Sequence, residues 1–184
     1  AVGQRVVVCY PAEQDAPYAA YLLALSYYDQ ISDIGRDQGL SVEVLQALRS
    51  VIETYPDSEY AAASVAKFDL AFDQLAAKEM EVGRYYLKRA NYAAAANRFR
   101  TVVEDFQTTT HTPEALHRLV EAYLSLGLTD EAQTAGASLG YNYQSRDWYA
   151  ASFALLTGRG LAAEAAGDNW LASIYRQVIR GEWL

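Results

Sequence analysis

Three segments of this chain repeat one pattern: Arg5-Val-Val-Val-Cys-Tyr-Pro11, Ser50-Val-Ile-Glu-Thr-Tyr-Pro56 and Thr101-Val-Val-Glu-Asp-Phe-Gln107. Each carries β-branched residues, then an aromatic, then Pro or Gln. They recur at intervals of 45 and 51 residues. Self-similarity on this scale is the signature of stacked repeats, and it outranks any local reading of secondary structure. Repeats of this kind build partner-binding surfaces more often than active sites.

The composition agrees. Apolar residues make up 52% of the chain, enough for a sizeable core, and Pro (4) and Gly (11) are sparse. An alanine-rich sequence poor in both favours helices. The fold class expected is therefore all-α, a solenoid of stacked helix pairs. A formal net charge of −8 argues against nucleic acid as a partner, since phosphate neutralisation needs a basic footprint. It also argues against adhesion of the body of the domain to anionic lipid. No run approaches the roughly 20 apolar residues that span a bilayer. The lone Cys9 sits in an apolar stretch and reads as a buried, inert thiol.

Pro17 suits the first turn of a helix whose apolar positions are Tyr21, Leu22, Leu25, Tyr28 and Ile31. Ser41 is a candidate N-cap for a helix through Val44, Leu45, Leu48, Val51 and Ile52 that ends at Pro56. Asp57 or Ser58 can cap a long helix reaching about Arg89, with Val65, Phe68, Leu70, Phe72, Leu75 and Met80 among its apolar positions. Tyr92 opens its partner, whose stripe is Ala95, Phe99, Val102, Val103 and Phe106. Pro113 falls early in the next helix, and Gly127 stops it. Thr129 or Asp130 caps another that ends near Ser138. Residues 140–146 read as a loop, 147–156 as a short helix, 157–167 as a mobile stretch. Residues 168–180 read as an amphipathic helix that suits the cap a terminal repeat needs. The organisation expected is 1–12, the end of a truncated repeat; 14–56, a repeat with a loop insertion; 58–107; 111–140; and 145–184, a partial repeat with its cap. Further repeats are expected before Ala1.

Gly83, Tyr86, Tyr92, Ala95 and Phe99 match the tetratricopeptide pattern. A small residue on the first helix and an alanine on the second permit close approach, and aromatics fill the wedge between them. Tyr123, Gly127 and Ala132 repeat it more weakly; Tyr86 and Tyr123 lie 37 residues apart. These residues read as core. No catalytic triad, phosphate loop or acid–base carboxylate pair is visible, and Glu79, Glu81, Glu104 and Asp105 fit solvated helix faces. His111 and His117 have no companion ligands, so no metal is expected. No cofactor and no catalytic residue is expected either.

The stretch from Glu79 to Arg98, with Thr108–Leu116, Ile34–Gln38 and Asn169-Trp-Leu171, resembles the BamD (ComL/YfiO) family of outer-membrane assembly lipoproteins in its alphaproteobacterial form. The resemblance runs from about Pro11 to Trp170. It implies a non-catalytic scaffold of about five tetratricopeptide-like repeats on the periplasmic face of the outer membrane, held by a lipid on an N-terminal cysteine. Cys9, preceded by Val6-Val-Val8, is not that cysteine. The implied partners are the periplasmic POTRA region of BamA, companion lipoproteins and unfolded outer-membrane proteins, with the C-terminal repeats docking the last POTRA domain. The family's Asn-Arg pair matches Asn97 and Arg98. Arg98 lies at the edge of the helix stripe, beside Thr101 and Asp105, where a guanidinium can take a partner carboxylate in bidentate fashion. A bridge within the array, to a carboxylate of a neighbouring repeat, is the alternative; an intrahelical one is disfavoured by Ala94, Ala95, Thr101 and Val102 at the flanking positions. Arg36 and Asp37 in the insertion are further candidate contacts. A generic peptide-binding adaptor of the same fold is the rival reading.

Overall fold

The computed structural model describes residues 15–29, 38–143 and 147–164. Among them lie seven helices and no strand: α1 (Ala16–Tyr28), α2 (Gln38–Thr54), α3 (Glu59–Lys88), α4 (Tyr92–Asp105), α5 (Thr112–Leu126), α6 (Thr129–Asn142) and α7 (Asp147–Thr157). The fold is all-α and tetratricopeptide-like, with successive helices packed as pairs. Two compact units are present, residues 1–75 and 76–184, and the boundary falls inside α3. Cys9, the repeat pattern at Arg5–Pro11, the candidate contacts Arg36 and Asp37, and the 168–180 helix lie outside the described residues.

Local signals set most helix ends. Pro17 occupies the first turn of α1. The Ser58 hydroxyl accepts the Ala61 N–H at 3.2 Å at the start of α3, and the Asn91 side chain accepts that of Ala94 at the start of α4, each satisfying a donor the helix leaves open. Gly127 ends α5 in the left-handed conformation (φ 77°), which glycine adopts without steric cost. Three expectations need correction. Ser41 is not a cap, because α2 already begins at Gln38. Leu128 holds the cap position of α6, with Thr129 its first helical residue and no side-chain cap bond. That helix also continues to Asn142, through the segment expected to be a loop: Gly136 and Gly140 are buried within it, receiving the side chains of Leu156 and Tyr149.

In the first unit, α1 turns Ala16, Ala20 and Ala24 inward, while Leu22 is 45% exposed. The core there is Ala20, Ala24, Val44, Leu48, Val51 and Ala71, with Tyr27, Tyr28, Tyr60 and Phe68 packed partly against it. The large residues expected to bury were the wrong stripe: small side chains admit the neighbouring helix closely, and the aromatics take the margins. The same holds on α3, where Val65 and Leu70 are exposed.

The second unit is built on the expected tetratricopeptide positions. Met80, Ala95, Ala96, Phe99, Val102 and Val103 pack with Leu116, Leu119, Val120 and Tyr123 of α5, Ala132, Ala135 and Leu139 of α6, and Leu156 of α7. Phe99 is fully buried and its ring lies against the backbone of Gly83. Gly127, by contrast, is a helix stop and not a packing residue, with no atom near its missing Cβ. Leu161 and Ala163 pack against this core. The Arg159 guanidinium donates to the Leu124 carbonyl at 2.9 Å and the Gln133 amide to that of Ala162 at 3.0 Å. The described part of the 157–167 stretch is thus tied down.

Candidate partner-binding face

Burial of Ala95, Phe99 and Val102 fixes what the rest of α4 presents. Asn97 and Asp105 are exposed, and Arg98 and Thr101 are half-buried at the edge of the stripe. The Thr101 hydroxyl donates to the Asn97 carbonyl at 3.2 Å, so it is engaged with its own helix. The Arg98 guanidinium donates through Nη1 to Glu79 Oε2 at 3.1 Å, with side-chain exposures of 38% and 13%. The carboxylate comes from α3, the other helix of the same pair, not from a neighbouring repeat. Glu79 is therefore not on a solvated face as its sequence context suggests; Glu81, Glu104 and Asp105 are exposed. Because Arg98 is more than a third exposed, solvent screens the bridge and its net stabilisation is small. The one contact uses a single arm of a planar fork with five N–H donors. Glu79 thus orients the guanidinium without saturating it.

A second polar cluster, which the sequence did not reveal, links α3, α5 and α7. Arg84 Nη1 donates to both carboxylate oxygens of Glu114 at 3.0 Å. Arg118 donates to Glu114 at 3.4 Å and to Glu121 at 2.7 Å, and lies over the Trp148 ring at 5.4 Å. His117, buried, shares a 2.8 Å hydrogen bond between Nδ1 and the Ser152 hydroxyl and packs on Trp148 with centroids 5.2 Å apart. Burial, with a smaller push from Arg118, lowers the His117 pKa from 6.5 despite the opposing carboxylates of Glu121 and Glu114. Burial also works against the charge of Arg118, but hydrogen bonds with and the charge of Glu121, then those of Glu114, outweigh it and raise its pKa. The i,i+4 spacing of Glu114–Arg118 and His117–Glu121 was the available signal. The long-range members, Arg84, Trp148 and Ser152, left none. No group of three or more His, Cys, Asp or Glu placed to hold a metal ion occurs among the described residues, and no described helix is long and apolar enough to cross a membrane.

The family model YfiO, described as outer membrane lipoprotein, matches residues 2–139. The chain belongs to this family. Among curated members, it is 50% identical over 159 residues to the outer membrane protein assembly factor BamD of Caulobacter vibrioides, covering 86% of this chain and 52% of that protein. It is 48% identical over 147 residues to BamD of Rickettsia prowazekii, covering 80% and 59%. Identity to BamD of Neisseria meningitidis strain Z2491 is 33% over 128 residues, covering 64% and 48%. The chain therefore spans about half the length of the curated relatives it matches, and the higher identities to Caulobacter and Rickettsia place it with the alphaproteobacterial branch of the family. The Gly83–Phe99 packing pair and the α4 face both lie inside the matched region.

Proposed function

We propose that this chain is part of a non-catalytic scaffold subunit of the β-barrel assembly machinery, and that the α4 face docks the periplasmic POTRA region of BamA. The observation that carries the reading is identity to curated BamD proteins over about half their length, joined to a polar edge on α4 formed by exposed Asn97 and Asp105 and half-buried Arg98 and Thr101. In this reading Glu79 holds the Arg98 guanidinium in place, so little rotamer freedom is lost when a partner carboxylate takes the remaining donors. Asn97 and Asp105 flank that contact with polar groups that pair at the rim. Arg36 and Asp37 belong to the same proposal as a second contact. The subunit acts at the periplasmic face of the outer membrane, anchored by a lipid. Its other partners are companion lipoproteins and unfolded outer-membrane proteins.

Calorimetric titration of the chain with the purified POTRA region of BamA tests this. Arg98→Ala is expected to weaken binding by about tenfold, equivalent to about 1.4 kcal/mol. Its melting temperature should change little, because an exposed bridge contributes only about 0–1 kcal/mol. Unchanged affinity in a folded Arg98→Ala protein would overturn the assignment of this face.

A further inference from the structure

Four aromatic rings among the described residues are covered by a cation of this chain. Lys67 lies over Tyr28 at 4.7 Å, Arg49 over Phe68 at 5.6 Å, Arg89 over Tyr85 at 4.5 Å and Arg118 over Trp148 at 5.4 Å. Two aromatic groups have no such cover among the described residues, the Tyr149–Phe153 pair and a larger one that carries acidic neighbours. In the first unit, the start of α1 and the start of α3 bring three tyrosines together. Tyr18 and Tyr60 have ring centroids 5.5 Å apart at 44°, and Tyr21 and Tyr60 5.4 Å apart at 32°. Tyr18 is 48% exposed, and so is much of Leu22, one turn further along α1. Asp15 and Glu59, both exposed, stand at the starts of the same two helices. The Tyr60 phenol registers this setting: partial desolvation first, then the Glu59 carboxylate, Tyr18 and Asp15, raise its pKa above 10.0.

We propose that the Tyr18–Tyr21–Tyr60 cluster, flanked by Asp15 and Glu59, docks a lysine or arginine side chain from a basic segment of a partner protein, with a neighbouring apolar residue of that segment resting on Leu22. Among the described residues, each component of a cation–π site is present except the cation. The rings offer negative faces, the carboxylates add a field of the same sign, and the uncovered Leu22 supplies apolar area beside them. The occupant is a protein segment and not a free ammonium compound. The cluster is an open surface and not an enclosing cage, and a cation alone at an exposed site gains too little to bind without adjoining contacts. The formal charge of −8 favours approach of basic segments in general and disfavours anionic membrane surfaces. The site lies in residues 15–60, apart in sequence from the α4 face, so it stands whether or not that face docks BamA.

The test uses a peptide of three Arg-Leu pairs separated by Ser-Gly, and the same peptide with Glu for Arg, titrated into the chain while tyrosine ring resonances are followed by NMR. The Arg peptide is expected to shift the rings of Tyr18, Tyr21 and Tyr60, and the Glu peptide is not. Tyr18→Leu keeps apolar bulk and removes the π face; it and Glu59→Gln should each weaken binding about threefold, the range for an exposed cation–π contact. Arg98→Ala is the control and should leave the titration unchanged. Equal binding of both peptides, ring shifts confined to other tyrosines, or unaltered affinity in a folded Tyr18→Leu protein would overturn the proposal.

Discussion

Gly83→Ala places the tetratricopeptide packing rule under direct test. Gly83 is buried in α3, and a Cβ built there would stand 2.8 Å from both Cδ1 and Cζ of Phe99. Carbon atoms rest at about 3.5–4.0 Å, so the ring would have to retreat by close to 1 Å. It has nowhere to go. Phe99 is fully buried, packed in the cluster that holds Met80, Val102, Leu116 and Leu119. Overpacking of this kind costs about 1–3 kcal/mol, and the confinement of the ring argues for the upper half. Against it, Ala gains about 1 kcal/mol over Gly in a helix interior. The difference is a net loss of about 1–2 kcal/mol, which for a chain of this size lowers the melting temperature by about 3–6 °C. Thermal unfolding followed by circular dichroism measures it. A double-mutant cycle with Phe99→Leu identifies the cause: the smaller side chain relieves the overlap, so the pair should be more stable than the sum of the single changes predicts, by about 0.5 kcal/mol or more. A Gly83→Ala protein as stable as the parent, or a cycle that closes additively, would mean that the ring yields freely and that close helix approach is not what requires glycine here.

The buried His117 predicts a pH dependence with a definite sign. Its folded pKa is lowered from 6.5, so the unfolded chain takes up the proton first; the stability it contributes is present above about pH 6.5 and is lost as pH falls from there toward the folded value. Urea midpoints between pH 7.5 and 5.5 should therefore fall in the parent and fall less in His117→Asn, and parallel curves would refute the assignment. Glu114→Gln removes the carboxylate that both Arg84 and Arg118 share and is expected to cost about 1 kcal/mol at low salt, since its own end of the pair is only 17% exposed, with the loss shrinking at 1 M salt as surface charge is screened. An effect independent of salt would show that the group acts through packing instead.

What the sequence made legible is what short spacing determines. Pro17, Pro113 and Gly127 act through the backbone of their own turn, and they mark helix ends where expected. The Gly83, Ala95 and Phe99 positions were readable because one hairpin joins them, so their meeting needs only two helices and a tight turn. The α4 face was readable for the same reason: once Ala95, Phe99 and Val102 face inward, Asn97 and Asp105 must face out. Apart from the caps of α2 and α6, the misreadings come from a neighbouring helix. On α1 hydrophobicity pointed to Leu22 and Leu25, yet close approach of α2 selects alanines. In α6 the helix was expected to end near Ser138 with a loop from Gly140, but the Leu156 and Tyr149 side chains of α7 fill the space that the missing Cβ atoms of Gly136 and Gly140 leave. Burial that would otherwise be unavailable to a helix interior thereby offsets the roughly 1 kcal/mol a helical glycine costs. Arg98 belongs to both groups. Its place at the edge of the stripe follows from its own helix, whereas its carboxylate partner lies 19 residues back on α3, a distance over which no periodicity speaks. A residue's exposure can thus be inferred from its own helix, but whether its charge is already committed depends on which helix the fold lays beside it. For a surface meant to bind a partner, that second question decides the affinity.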